Sequence, residues 1–477
     1  MPRLAPGFLA SLSAVLVIVT TARCGGDGAT TPDEDNPDPD APIATLRVTP
    51  SATFLDSGST VRLSVEARSA SGTLLAGRTV TWSSTDPLVA TVSETGIVSG
   101  LSVGEAFIVA AAGGARDSAG VTVRRGAANW GRSTPMPVSP GSEFVAISAG
   151  AEHTCALTAA GRVWCWGYGR SRLPVEIAGE TVYSSIVTSD GMGVNHTCAL
   201  DLQGAAYCWG NNGSGQLGIG STSETPLPTP VLGGFRFTKL ALGQRHTCGL
   251  TQSGDAYCWG ENSTGNLGDG TDVQRPIPTP VVGGLSFVSI TAGNEYTCAL
   301  TAAGDTYCWG GNRNGELGLG FTSPRILSPS RIMTSVRFTS IHSGLLHVCA
   351  LTATQEAYCW GWNQWRQLGR TGPTVGESPG LVDGINLVAI SGGFFHTCAL
   401  DAGGEAHCWG VSGFGQLGNG LPVDPTGPPV VMSSPTAVVG GHRFQSNSAG
   451  NSHTCAITTA RAVYCWGHHE SGALGIP

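Results

Sequence analysis

Hydrophobic and polar residues alternate from Ile43 to about Val123, which is the pattern of strands that bury one face. The alternation is clear in Leu46–Val48, Val61–Val65 and Ala106–Val109, and glycines separate these runs. Short strands joined by closely spaced turns are typical of a β-sandwich. We therefore assign residues 43–124 to a small β-sandwich.

A second pattern repeats seven times over residues 130–477. Two cysteines ten positions apart mark each repeat, and successive pairs start 43 to 57 residues apart. Seven β-rich repeats of about 50 residues are expected to close into a ring of blades. The predicted fold class is all-β, with a small β-sandwich preceding a seven-bladed β-propeller.

The fourth repeat shows which strands we expect in each blade. The last strand is often proline-rich, as in Pro278–Val281, and belongs at an outer edge because proline lacks the N–H that a sheet interior needs. Ser133–Val138 resembles such an outer strand, so we expect it to complete the seventh blade. The strands predicted for the fourth repeat are Phe287–Ile290, Thr297–Thr301, Thr306–Gly310 and a segment near Arg331–Met333.

The cysteine spacing predicts a disulfide inside each blade. A three-residue hairpin loop at 302–304 places Cys298 opposite Cys308, and directly opposed residues have Cβ atoms about 4.5–5.5 Å apart. A metal site would need more clustered ligands than the two that one hairpin supplies. The predicted pairs are Cys155 with Cys165, Cys198 with Cys208, Cys248 with Cys258, Cys298 with Cys308, Cys349 with Cys359, Cys398 with Cys408, and Cys455 with Cys465.

A histidine lies two positions before the first cysteine in six repeats, and Tyr296 takes this place in the fourth. A ring of imidazoles would suit a metal or proton site, whereas a repeated structural hydrogen bond would also explain the pattern. Recurrence in six blades favours the scaffold role, and we predict no metal and no cofactor. Aromatic residues flank the second cysteine, as in Tyr257 and Trp259, and are expected to pack between blades.

Composition narrows the function classes. Charged residues make up 12% of the chain, and 70 glycines and 28 prolines disfavour a helical protein. The net charge is −8, and Lys239 is the one lysine beside 24 arginines. Because nucleic-acid binding needs a basic surface, we expect no nucleic-acid partner.

Residues 1–24 are typical of an export signal, with Arg3 followed by an uncharged run from Phe8 to Thr20. The signal ends at Cys24 in a segment that resembles a lipoprotein cleavage site, although Arg23 departs from that pattern. A plain secretory signal is the alternative. Residues 25–42 form an acidic, proline-rich linker. We expect a protein of the cell envelope or the extracellular space, attached to the membrane only through lipid on Cys24.

Two stretches resemble known families. The runs Val80–Val92 and Thr95–Gly104 resemble a bacterial immunoglobulin-like domain of group two, a type that serves as a spacer or an adhesive module. Residues 130–477, with motifs such as Tyr257–Gly260 and the Gly-x-Leu-Gly of 215–218, resemble the regulator of chromosome condensation repeat. That resemblance implies a seven-bladed propeller that binds proteins through one face. The first repeat lacks Gly-x-Leu-Gly, and Arg366 replaces the first glycine in the fifth.

The sequence contains no Gly-x-Ser-x-Gly, phosphate-binding loop or His-Glu-x-x-His motif, so we predict no catalytic residues. The expected role is a protein-binding module without catalysis, in a chain that is expected to be a monomer. Nucleotide-exchange activity by family resemblance, and glycan binding or hydrolysis, are the alternatives.

Partner-binding residues should be those that break the repeat. Blades five and six carry large apolar residues before the histidine and in the loop after the third strand, where other blades carry small or polar residues. Aromatic residues and arginine are frequent anchors of protein interfaces. The alternative is that these side chains tuck against neighbouring loops. The candidates are Leu345, Leu346, Trp362, Trp365, Arg366, Phe394, Phe395 and Phe414.

Overall fold

The computed structural model describes residues 41–56, 60–101, 104–124, 131–138, 143–189, 191, 193, 195–423 and 428–476. The expected signal peptide, Cys24 and nearly all of the acidic linker lie outside these residues. Every regular element within them is a β-strand. No helix in the described ranges has the length and hydropathy that crossing a bilayer requires.

Nine strands form the small sandwich. They are β1 (Thr45–Thr49), β2 (Ala52–Asp56), β3 (Thr60–Arg62), β4 (Ser64–Arg68), β5 (Thr81–Ser84), β6 (Ala90–Val92), β7 (Ile97–Gly100), β8 (Gly104–Ala112) and β9 (Ala115–Arg124). The strand orders are β2-β9-β8-β5, β3-β7-β6 and β1-β4, and β2 runs parallel to β9. In β8, Ala106, Ile108 and Ala110 are buried and Phe107 is exposed, so the alternation in the sequence defines the core face.

Twenty-eight strands, from β10 to β37, form the propeller. Those up to the fourth blade are β10 (Gly131–Pro137), β11 (Phe144–Ala149), β12 (His153–Thr158), β13 (Val163–Gly167), β14 (Val175–Glu176), β15 (Tyr183–Thr188), β16 (His196–Asp201), β17 (Ala206–Gly210), β18 (Thr225–Pro230), β19 (Phe237–Leu242), β20 (His246–Thr251), β21 (Ala256–Gly260), β22 (Arg275–Pro280), β23 (Ser289–Ala292), β24 (Tyr296–Leu300), β25 (Thr306–Asn312) and β26 (Ser323–Arg331). The remainder are β27 (Phe338–Ser343), β28 (His347–Thr352), β29 (Ala357–Trp362), β30 (Val375–Leu381), β31 (Ala389–Gly392), β32 (His396–Leu400), β33 (Ala406–Ser412), β34 (Val430–Ala437), β35 (Phe444–Ala449), β36 (His453–Thr458) and β37 (Val463–His468).

Seven four-stranded antiparallel sheets make the blades, and each of the first six uses four consecutive strands starting at β11. The seventh consists of β35, β36, β37 and β10, so the first propeller strand completes the last blade as the sequence predicted. The last strand of blade four was predicted near Arg331–Met333 and overlaps that segment only at Arg331. The strand β26 ends at Arg331, and the next residue, Ile332, turns inward and is buried in the core shared with blade five.

A disulfide joins the two central strands of every blade. The strand register places the two cysteines of each pair directly opposite each other, with Cα atoms 4.1 Å apart. Each bridge closes a loop of ten residues and contributes at most about 3 kcal/mol in the chain-entropy account. The pairing is the one that the hairpin spacing implies.

Each disulfide also forms part of the packing between blades. In the core between blades two and three, Cys198 and Cys208 pack beside Trp259, which is fully buried. Phe237 lies 5.8 Å from the Trp259 ring and completes this core. The same arrangement recurs around the ring, so the tryptophan after the second cysteine packs between blades as predicted.

The recurring histidines form a belt of hydrogen bonds between neighbouring blades. The imidazole Nε2 of His347, for example, lies 2.8 Å from the Thr397 hydroxyl of the next blade. Corresponding contacts of 2.8 to 3.0 Å join the other five histidines to threonines of the next blade. Burial lowers the pKa of His347 to about 3. These imidazoles are therefore neutral scaffold elements.

In six blades a loop fills the junction with the next blade, and we call it the junction loop. Five of these loops carry the Gly-x-Leu-Gly motif, and the sixth has Arg366 in place of the first glycine. At residues 215–218, the carbonyl of Gln216 accepts hydrogen bonds from Trp259 Nε1 and the Thr247 hydroxyl, both at 2.9 Å. The leucine of each loop is fully buried. Gly218 has φ +70°, and a Cβ there would lie 2.7 Å from Trp259 Nε1, so close approach requires glycine. The junction loops are 215–218, 265–268, 315–318, 366–369, 415–418 and 472–475.

One junction uses a different pair. Tyr296 replaces histidine, and the facing position in blade five is Val348 instead of threonine. The Tyr296 hydroxyl reaches past this position to the carbonyls of Gly344 and His347, at 2.8 and 2.7 Å. Val348 has no hydroxyl to pair with a histidine, and Tyr296 finds its hydrogen-bond partners elsewhere. The two departures from the repeat, Tyr296 for histidine and Val348 for threonine, therefore compensate each other.

We predict that Tyr296 and Val348 are energetically coupled. The Tyr296→His variant should lose about 1–3 kcal/mol of unfolding free energy, because the buried imidazole N–H would face a valine. Adding Val348→Thr should restore part of that loss, since it recreates the His–Thr pair of the other junctions. Urea unfolding of wild type, both single variants and the double variant measures the coupling. Additive effects would contradict the compensation.

We predict that stability falls as the pH drops from about 6.5 toward 3. The unfolded chain protonates its histidines near pH 6.5, whereas burial lowers the folded-state pKa of His347 to about 3. Each such histidine makes the free energy of unfolding fall by up to about 1.4 kcal/mol per pH unit in this window. His347→Gln should reduce the slope by this amount in urea titrations at pH 4 to 7.

Tyr296→Phe is the control for the pH experiment. It removes a buried hydrogen bond at the same belt position but changes no group that titrates between pH 4 and 7. This variant should lose stability equally at every pH. An unchanged slope in His347→Gln would contradict a neutral, buried imidazole.

Candidate functional site

The loops that carry the candidate residues lie on one face of the propeller. In blade five, the Trp362 backbone N–H donates to the Leu346 carbonyl at 2.9 Å, which ties the loop after the third strand to the loop before the second. The Val411 N–H and the Phe395 carbonyl make the same bond at 3.0 Å in blade six. The two kinds of loop therefore present their side chains together.

Trp362, Trp365 and Phe395 form an aromatic cluster across blades five and six. The Phe395 ring lies 5.6 Å from the Trp362 ring and 6.2 Å from the Trp365 ring, in tilted and edge-on arrangements. All three side chains are half-buried. The buried Phe394 ring stacks on the Phe395 ring with a centroid distance of 3.7 Å, and this contact fixes the orientation of Phe395. We call Trp362, Trp365, Phe394 and Phe395 the aromatic cluster.

Two candidates are buried and support the cluster from within. Leu345 is 4% exposed and Phe394 is 9% exposed. The Leu345 backbone donates to the Gly393 carbonyl at 3.1 Å and accepts from Asn294 at 2.9 Å, so this loop is fixed to both neighbouring blades. The tucked position considered in the sequence analysis therefore applies to these two residues.

Two other candidates make their recorded contacts outside the cluster. Phe414 packs edge-on against His468 of blade seven at 4.8 Å, because its loop fills the next junction along the ring. Arg366 has φ +62° in place of the first glycine, and its guanidinium donates to the Gly372 carbonyl of the same loop at 2.8 Å. The ring contacts of the cluster therefore do not include Phe414 or Arg366, and their part in one patch of eight residues stays a prediction.

Leu346 extends the apolar surface toward blade four. It is half-buried and lines a cavity of about 120 Å³ together with Glu295, Arg313 and Glu316. Burial raises the pKa of Glu316, which accepts hydrogen bonds from the Asn314 N–H and side-chain amide at 2.8 and 2.6 Å. The face thus combines an aromatic cluster with an adjoining polar recess, a pairing that sequence reasoning missed.

The central channel is polar and narrow. The first strands of the blades line a cavity of about 200 Å³ there. Lys239 donates to the Ser289 hydroxyl at 2.8 Å, and burial lowers the pKa of this lysine. Burial, and secondly the charge of Lys239, lowers the pKa of His342 to about 4. Both groups are held inside the ring, away from the aromatic cluster.

One group of possible metal ligands occurs among the described residues. Asp401, Glu405 and His407 bring their ligand atoms within 4.8 Å of one another on the hairpin of blade six. Glu405 forms an ion pair with Arg443 at 2.5 Å, and Asp401 accepts the Glu405 backbone N–H at 2.8 Å. These contacts explain the group as a capped turn, and the sequence analysis did not anticipate it.

Comparisons with known proteins identify both parts of the chain. The model of the bacterial Ig-like domain (group 2) matches residues 42–123. The model of the regulator of chromosome condensation (RCC1) repeat matches residues 203–250, 253–300, 303–351, 356–400 and 403–457. A second model of this repeat adds residues 144–171 and 188–216. No curated protein matches the chain significantly in sequence.

Solved structures share the propeller fold at low sequence identity. Prp20p from Saccharomyces cerevisiae, described with its binding to Gsp1p and histones, is 20% identical with a TM-score of 0.56. The match covers 69% of this chain and 84% of Prp20p. Human WBSCR16 is 19% identical with a TM-score of 0.59, over 70% of this chain and 89% of that protein. With its blades, junction loops and repeat matches, the chain belongs to the regulator of chromosome condensation (RCC1) repeat family.

Proposed function

We propose that the propeller is a recognition module that binds a protein partner through the aromatic cluster, without catalysis. The observation that carries this proposal is the position of Trp362, Trp365 and Phe395, which are half-buried on one face with both tryptophans in contact with Phe395. Tryptophan and phenylalanine in such positions lose little side-chain entropy on binding and bury a large apolar area. At the position of Phe395, blades one to four carry polar residues such as Asn195 and Arg245. At the position of Trp362, blade one carries an aromatic residue too, Tyr168, but no large apolar residue precedes its histidine.

The rest of the face suits a protein interface. Leu346 extends the apolar area, and Glu295 and Arg313 supply charges at its edge. An apolar centre with a polar rim is the usual anatomy of a protein–protein interface. The fold supports a binding role too, because the similar yeast Prp20p is described with protein partners. Nucleotide exchange is not part of the proposal, since a shared fold does not carry an activity with it.

We further propose that the chain is exported and anchored by lipid on Cys24, with the acidic linker and the sandwich as a spacer. The uncharged run before Cys24 and the acidic, proline-rich composition of residues 25–42 support this arrangement. Seven disulfides in the propeller support an oxidising location, because disulfides persist outside the reducing cytosol.

We predict that Trp362→Ala/Trp365→Ala abolishes partner capture. Each truncation should cost about 2 kcal/mol or more of binding free energy, as is typical of tryptophan anchors. The test is a crosslinking pulldown from the native cell envelope, with each captured partner then titrated against purified wild-type and variant protein. The expected partner is a protein that binds the wild type and loses at least tenfold affinity for the variant.

The control for this experiment is Leu202→Ala/Met333→Ala. Leu202 and Met333 are exposed and lie in connections at the opposite end of the blades. This variant should capture the same partner with unchanged affinity. If the double tryptophan variant retains every partner, or if only glycans bind the cluster, the proposal is wrong.

We predict that Cys24→Ala moves the protein from the membrane fraction to the soluble fraction. Lipid on this cysteine would be the only membrane attachment, so its loss should release the chain without changing the propeller. Fractionation and metabolic labelling with a radioactive fatty acid measure the effect. Equal membrane association of Cys24→Ala and wild type would contradict lipid anchoring.

A further inference from the structure

The junction between blades one and two lacks the loop that fills the other six. Blade one has no Gly-x-Leu-Gly motif, and after β13 its chain makes a tight turn in which the Arg170 N–H donates to the Gly167 carbonyl at 2.9 Å. A cavity of about 480 Å³ lies at this junction. That volume falls in the range of about 300–1,000 Å³ that is usual for ligand sites.

A buried hydrogen-bond donor faces this cavity without a partner. Trp209 lines the cavity, its side chain is fully buried, and its Nε1 has no acceptor among the described residues. The six equivalent tryptophans donate to a junction-loop carbonyl at 2.8 to 3.0 Å. A buried N–H that lacks an acceptor costs about 1–3 kcal/mol, so an acceptor that enters the cavity regains this energy.

A second donor lies beside the first. Thr197 is 2% exposed, lines the same cavity and contacts His153 Nε2 at 3.0 Å. In five other junctions, the corresponding threonine hydroxyl also donates to the junction-loop carbonyl. Thr197 and Trp209 face each other across paired strands, so they occupy the positions of Thr247 and Trp259 in the next junction. The two donors are therefore arranged to share one carbonyl oxygen.

The apolar core at this junction also lacks the leucine that the junction loop supplies at the other six junctions. At the six filled junctions, a fully buried leucine follows the carbonyl and packs against the tryptophan of the next blade. The core around Trp209 includes Tyr183 and Ile186 but no leucine from a loop. Arg170 and Glu224 are exposed at the rim and carry opposite charges.

We propose that this junction binds a leucine-containing turn from a partner polypeptide, which takes the place of the missing junction loop. A main-chain carbonyl of the turn accepts from Trp209 Nε1 and the Thr197 hydroxyl, and the leucine that follows enters the apolar core. The other six junctions show this arrangement with the chain's own loops. This site is separate from the aromatic cluster, and it does not depend on the function proposed for that cluster.

The test uses the chain's own loop as a probe. A capped peptide with the sequence of residues 212–220, Asn-Gly-Ser-Gly-Gln-Leu-Gly-Ile-Gly, is titrated into the full-length protein labelled with ¹⁵N at its tryptophan indoles. The indole signal that Trp209→Phe removes is assigned to Trp209. We expect this signal to shift saturably with the peptide, while the signals of the six hydrogen-bonded tryptophans stay in place.

Two controls locate the binding. The same peptide carrying Leu217→Ala should bind at least tenfold more weakly, because it cannot fill the apolar core. The protein variant Trp362→Ala/Trp365→Ala should bind the peptide normally, which separates this proposal from the function of the aromatic cluster. Thr197→Val, a variant of nearly equal volume, should weaken binding about fivefold or more.

Three results would overturn the proposal. They are the absence of a saturable shift in the Trp209 signal, equal binding of the peptide with and without its leucine, and unchanged peptide affinity in Thr197→Val. Circular dichroism of each variant shows whether the propeller is folded. If Thr197→Val is unfolded, the comparison of the two peptides on the wild-type protein decides the question.

Discussion

The carbonyl of the junction loop is the interaction on which the propeller depends. At the junction of blades two and three, the Gln216 carbonyl accepts from the Trp259 indole and the Thr247 hydroxyl, and Leu217 fills the space beside them. The same hydroxyl accepts a hydrogen bond from His196 of the preceding blade, since its own proton is already donated. One loop thereby fixes a histidine, a threonine and a tryptophan that belong to different blades, and the disulfides hold each blade rigid beneath it.

This rigid framework lets the exposed ends of the loops vary. The residues that join the blades at the junction loops are buried, whereas Trp362 and Phe395 are half-buried at the exposed end of the junction between blades five and six. Blades five and six use that freedom for aromatic side chains, and the buried Leu345 and Phe394 hold them from below. A rigid surface of this kind binds without losing much conformational entropy, which is why the cluster supports a recognition role.

Much of this architecture follows from the spacing of residues. The ten-residue cysteine interval implies the hairpin register, and the proline-rich Ser133–Val138 segment predicts closure of the ring by the first strand, as the structure shows. The aromatic cluster was only partly predictable. Trp365 and Phe414 occupy equivalent loop positions, but Trp365 meets Phe395 whereas Phe414 meets His468, because the contact depends on the neighbouring blade. The role of the junction-loop carbonyl was not predictable, because every residue type has the same backbone carbonyl and the sequence does not show which one accepts a hydrogen bond.

Hydrogen exchange of the tryptophan indoles tests the central claim most directly. In the intact chain in D₂O, the indole protons of the six tryptophans bonded to junction-loop carbonyls should exchange slowly, at rates set by opening of the ring. The Trp209 proton should exchange far faster, because no loop carbonyl protects it. Equally slow exchange at Trp209 would contradict the account, since it would mean that the junction of blades one and two is closed in the same way as the others.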